Sequence, residues 1–210
     1  MRDLLSLAYF GPEEWSQTEP PQDNDTFFTA QGDVLTHDFC RIGDKHFVRT
    51  VMLIPFHDVE YCLILGTWVY LDQPSFDRFH DSYPSGEQGA LDMQFGWIAN
   101  VIPGFRGPHP CCIQPRNNFQ RPIAHAALEE DPLYGAQIDG ITYDMLLDML
   151  EVFGHTGIAR KIGRQQNGFL ANARHGAENR TYHWRLSWFG RRFGGNACPD
   201  TSYHCCRAHD

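Results

Sequence analysis

The most regular alternation of apolar and polar positions runs through KHFVRTVMLIPF, residues 45–56. Its first half places Phe47, Arg49 and Val51 on one side and His46, Val48 and Thr50 on the other. That is the two-residue period of a strand. A second apolar run, YCLILGTWVYL at 61–71, is bounded by turn residues and reads as another strand. Upstream, Gly43-Asp44 within IGDKH supplies a tight hairpin turn. Downstream, the spacing changes. In DQPSFDRFHDSY, Pro74 suits a first helical turn and Phe76, Phe79 and Tyr83 recur on one face, which predicts a short helix. LDMQFGWIANVI (91–102) and RPIAHAAL (121–128) are further strand candidates, with the turn-rich PGFRGPHP between them.

TYDMLLDMLEVFG carries the clearest helical pattern. Thr142 can cap it, because its hydroxyl accepts a free amide of the first turn. Asp144, Asp148 and Glu151 mark the solvated face. Ile141, Met145, Leu146, Met149, Leu150 and Phe153 mark the buried one, and Gly154 can take the left-handed conformation that ends it. The expected fold is therefore α+β: an antiparallel sheet of about five strands, a short inserted helix, and a helix packed near 142–153.

Composition adds a division to this picture. The chain has 210 residues, 42% of them apolar, enough to bury a core. Its net charge of −9 is unevenly spread. Residues 1–153 hold 23 acidic and 8 basic residues, whereas 154–210 hold 3 and 9. This break predicts an acidic domain over 1–154 and a basic, Arg-, Cys- and Trp-rich extension over 155–210 that is poorly ordered. No apolar run reaches the roughly 18 residues of a spanning helix. The opening MRDLLSLAYFGPEEW lacks the small-residue cleavage site of a secretory signal and reads as a short buried element. The expected setting is cytoplasmic, with Cys40, Cys62, Cys111 and Cys112 as reduced thiols.

Four blocks follow one another along the chain: DFCRIGDKHFVRTVMLIPF (38–56), GTWVYLDQPSFDRF (66–79), FGWIANVIPGF (95–105) and RPIAHAALEEDPLYGAQIDGIT (121–142). Together they resemble the bacterial family known as domain of unknown function 2199, over about residues 26–153. The resemblance implies a fold and a bacterial cytoplasmic setting, not a reaction. Family members commonly begin with a Cys-x-x-Cys pair, absent here, since no cysteine precedes Cys40. The His that usually precedes the family's Pro-Leu is Asp131 in this chain.

Several constellations could carry chemistry. Cys198, His204, Cys205 and His209 offer soft ligands for zinc, but their spacing departs from the short paired spacings of structural zinc sites, so no cofactor is expected. RTYHWRLSWFGRRFGG interleaves arginines with aromatics, as a nucleic-acid surface does. No recognition fingerprint accompanies it, and an acidic body repels a polyanion, so nucleic acid is not the expected partner. A thiol nucleophile would need Cys40 beside a base such as His46 or His57. Glu129-Glu130-Asp131 reads as a solvated turn. Arg49, Trp68, Trp97 and Arg121 are the binding candidates, since Arg and Trp dominate recognition surfaces. Arg49 in an apolar strand demands an acidic partner. Without a catalytic motif, the expected role is a non-catalytic protein-binding domain, immunity- or inhibitor-like, for a basic protein. The alternative is an enzyme or metal-binding module built on Cys, His and carboxylate side chains.

Overall fold

The computed structural model describes residues 5–15, 26–29, 32–57 and 59–155. The basic extension, with its four zinc candidates and its Arg-aromatic stretch, lies outside these residues.

Two long strands form the centre. β5 (Lys45–Phe56) and β6 (Val59–Leu71) pair antiparallel with Arg49 opposite Trp68 and Val51 opposite Gly66. The predicted turn at Gly43, with φ +58°, joins β5 back to β4 (Phe39–Ile42). β3 (Val34–Leu35) and β2 (Phe27–Phe28) continue this antiparallel meander outward. On the other side, β6 pairs with β7 (Gln94–Ile98), then β8 (Pro110–Gln114) and β9 (Ile123–Ala126) follow antiparallel.

β9 then pairs with β5 in parallel, Val51 against Ile123, so that β5 to β9 close into a five-stranded barrel. The opening segment forms β1 (Leu5–Ala8), which lies parallel to the outer side of β6. Gly66 permits that approach, since a Cβ there would lie 2.9 Å from the Ala8 Cβ. The α+β class holds, but the sheet is mixed rather than antiparallel. The two parallel pairings join segments remote in sequence, and local alternation carries no information about such partners.

The alternation of β5 separates two cores. Val48, Met52 and Ile54 face inward with Leu63, Leu65 and Val69, all fully buried. Thr50 and Thr67 meet inside the same wall, with Oγ1 atoms 2.9 Å apart, so neither hydroxyl is left unpaired. On the opposite face, Phe47 and Trp68 join Leu35 and Cys40 in a second cluster beneath β3 and β4.

Three helices pack against the larger core. α1 (Gln73–Ser82) contributes Phe76 and Phe79, and its first turn is capped by Asp72, which accepts from the Ser75 amide at 2.8 Å. α3 (Tyr143–Val152) contributes Leu146, Met149 and Leu150 under a Thr142 cap, as its pattern predicts. α2 (Pro132–Asp139) was not expected from the sequence. Its cap is Asp131, whose carboxylate also lies 2.8 Å from His109 Nδ1, both side chains being nearly inaccessible. Glu129 and Glu130 are solvated, but Asp131 is not, which corrects the reading of all three as a solvated turn.

The cysteines also differ from expectation. Cys40 and Cys111 carry free, buried thiols, whereas Cys62 and Cys112 are disulfide-bonded. Bonding depends on distances across the fold that spacing along the chain does not reveal.

Candidate functional site

A cluster of charged side chains forms where the barrel closes. The Thr36 hydroxyl accepts the Phe39 amide at 2.9 Å and tightens the turn between β3 and β4, with His37 and Asp38 at its tip. The Asp38 carbonyl accepts the Arg49 amide at 2.8 Å, which fixes this tip beside β5. The parallel seam does the rest. The Val51 amide donates to the Pro122 carbonyl at 2.9 Å, so Arg121, one residue earlier, arrives beside Asp38. Barrel closure thus brings together two arginines far apart in sequence.

Asp38 is the shared acceptor. Its Oδ1 accepts from Arg121 Nε at 2.9 Å and its Oδ2 from the Tyr83 hydroxyl at 2.8 Å. Burial opposes the Asp38 charge, but the hydrogen bonds from Arg121 and Tyr83 outweigh it and hold the carboxyl below its ordinary value. Tyr83 is correspondingly pushed up to about 12, by burial first and by the Asp38 bond second. The exposed His37 ring lies 3.0 Å from Arg121 Nη2. The half-buried Arg116 donates through Nε to the Arg121 carbonyl at 2.7 Å and fixes the backbone that presents Arg121.

Among the described residues, Arg49 meets no carboxylate directly, where the sequence leads one to expect an acidic partner. Its Nη1 and Nη2 donate to the His37 and Tyr9 carbonyls, each at 3.3 Å. Its guanidinium lies 5.8 Å from the Trp68 ring centre, and its Nε is buried without a partner. Burial disfavours its charge most, repulsion from Arg121 comes next, and attraction to Asp38 is the weakest of the three. Two guanidinium groups are therefore held around one carboxylate that satisfies only one of them.

Of the four binding candidates, Arg49, Trp68 and Arg121 come together. Trp68 is fully buried, with its indole N–H directed to the Tyr9 carbonyl at 3.4 Å, so it supports the site from below. Trp97 stands elsewhere, exposed on β7 against Phe95. His37, Asp38, Tyr83 and Arg116 were not foreseen. Asp38 stands just before β4, seven residues ahead of the strand that carries Arg49, and no local pattern marks it as that arginine's neighbour.

Among the described residues, the Cys40 and His46 pair does not converge. Cys40 pairs in register with Phe47 and shares its face, whereas His46 lies on the other face against Phe76. Burial pushes the Cys40 thiol up to about 12, far from an activated nucleophile. Among the described residues, no three His, Cys, Asp or Glu side chains gather as a metal site. An open cleft of about 410 Å³ beside α1 is lined by Asp72, Arg78, Asp92 and Gln94 and shares no residue with the arginine cluster. No described helix is long and apolar enough to cross a membrane.

Comparison with curated proteins and with solved structures returns no match. A family model for an uncharacterized protein conserved in bacteria, DUF2199, matches residues 1–141. The match begins earlier than the 26–153 read from the four blocks, taking in β1, and it stops before α3. The order of strands that builds the arginine cluster lies wholly within it, and the chain belongs to the DUF2199 family of bacterial proteins.

Proposed function

We propose that this domain acts by binding rather than by catalysis, and that the Arg49–Arg121 cluster receives a single anionic group, a carboxylate or a phosphate. One observation carries this reading: two fixed guanidinium groups surround one carboxylate, which bonds Arg121 at 2.9 Å and leaves the buried Arg49 Nε without a partner. A planar guanidinium fork suits carboxylate and phosphate oxygens, and an arriving anion would relieve the repulsion. The wider surface limits the size of the ligand. Residues 1–153 carry 23 acids against 8 bases, so a polyanion is repelled at long range, while a compact anion feels the local cations within about a Debye length of 8–10 Å.

The same acidic excess favours a second reading, in which a basic protein docks on the domain. Its association would be fast and would weaken as salt rises.

The test is thermal unfolding of the full chain in inorganic phosphate and in chloride at equal ionic strength. Phosphate should stabilise the wild type, by about 2.7 kcal/mol at a hundredfold excess over Kd. Arg121→Ala and Arg49→Met should lose this increment, Met keeping the apolar stem above Trp68. An identical increment in all three proteins would reduce it to a general salt effect and remove the proposal.

A further inference from the structure

The loop that delivers Arg121 holds its backbone in an unusual way. Asn118 and Phe119 both have left-handed φ, +59° and +58°. Asn accepts that region, whereas a bulky aromatic residue does so at a conformational cost. The loop is pinned on three sides. The Asn118 amide donates to the Gly86 carbonyl at 2.8 Å, Asn117 Oδ1 accepts the Gly89 amide at 2.8 Å, and Arg116 closes onto the Arg121 carbonyl. This strained, fastened backbone does not bury Phe119, which remains 54% exposed. Its ring stands edge-on to Tyr83, with centroids 5.6 Å apart. Tyr83 in turn donates to Asp38, the acceptor at the heart of the arginine cluster. An exposed aromatic face thus adjoins the cations, two residues along the chain from Arg121.

Resting on the anion-binding reading above, we infer that the ligand couples its anionic group to an aromatic ring: an aryl phosphate or aryl carboxylate. The anion meets Arg121 and Arg49, and the ring packs against Phe119 and Tyr83. Aromatic rings favour edge-to-face and offset contacts with one another, and they also stack on a guanidinium plane. Both partners are present here on one short loop. Strain retained at an exposed side chain is the arrangement expected where a ligand covers it.

The experiment is calorimetric titration of the full chain with phenyl phosphate and with methyl phosphate. Wild type should bind phenyl phosphate at least tenfold more tightly. Phe119→Asn should abolish this preference and leave methyl phosphate affinity unchanged. Asn fits the left-handed backbone, so the same variant should unfold at an equal or higher temperature, which separates loss of a ligand contact from loss of the fold. Equal affinities for the two phosphates in wild type, or a preference that survives Phe119→Asn, would overturn the aryl assignment and leave the anion site standing. Failure of both phosphates to bind would overturn the anion site as well.

Discussion

Two side chains respond to acid in different windows. His125 is buried on β9, which lowers its pKa from 6.5 to about 4. Between those values the unfolded chain binds a proton that the folded chain does not, so stability falls as pH drops from 6.5 toward 4. The loss should amount to roughly 2–4 kcal/mol, and His125→Gln should flatten it, as read from urea unfolding across that range. Asp38 acts lower. Its folded pKa is depressed, so its contribution is complete above its ordinary value of 3.8 and disappears as pH falls through the folded one. Asp38→Asn should therefore cost about 1–3 kcal/mol near neutrality, the worth of hydrogen bonds to a charge, and nothing once wild type is itself protonated. The same variant should bind inorganic phosphate more tightly, because the Asn amide oxygen still accepts from Arg121 but no longer competes with the anion for the positive charge of the two guanidinium groups. Arg49 was legible in the sequence as an arginine inside an apolar strand. Asp38 was not, because it reaches Arg121 only through the fold.

The elements were legible where one local signal dominated. α1 and α3 declare themselves through Pro74, Thr142 and a clean apolar face, and β5 through its alternation. α2 escaped because it is only eight residues long and contains Gly135, leaving the cap at Asp131 as its main mark. That cap is the point at which to test it. Asp131→Ala removes a helix cap worth about 1 kcal/mol and leaves His109 buried without its partner, a further 1–3 kcal/mol or so. Asp131→Asn, which keeps an acceptor, should cost much less in the same denaturation series. β8 escaped because Pro110 and the adjacent cysteines hide its pattern. Its neighbour β7 passes so close to β6 that a Cβ on Gly96 would lie 2.5 Å from the Tyr70 carbonyl oxygen. Gly96→Ala should consequently destabilise by about 1–3 kcal/mol or more, seen as a lower unfolding midpoint.

For the whole chain, the family match ends before the described core does. The match stops at residue 141, yet α3 places Leu146, Met149 and Leu150 in the common core. Each such side chain contributes about 1.5–3 kcal/mol by burial, and the three together approach the 5–15 kcal/mol that stabilises an ordinary domain. A fragment of residues 1–141 should fail to unfold cooperatively, whereas residues 1–155 should do so; circular dichroism melts distinguish them. The class of the fold was accessible from local pattern, but its closure was not, since Val51 and Ile123 are neighbours only in three dimensions. That closure has a consequence for biogenesis. The β5–β6 hairpin leaves the ribosome long before β9 is synthesised, with apolar side chains on both faces: Val48 and Met52 on one, Phe47 and Trp68 on the other. Until Ile123 emerges, the nascent hairpin has no ring to close, and the open flank of β5 is the surface a chaperone would shield.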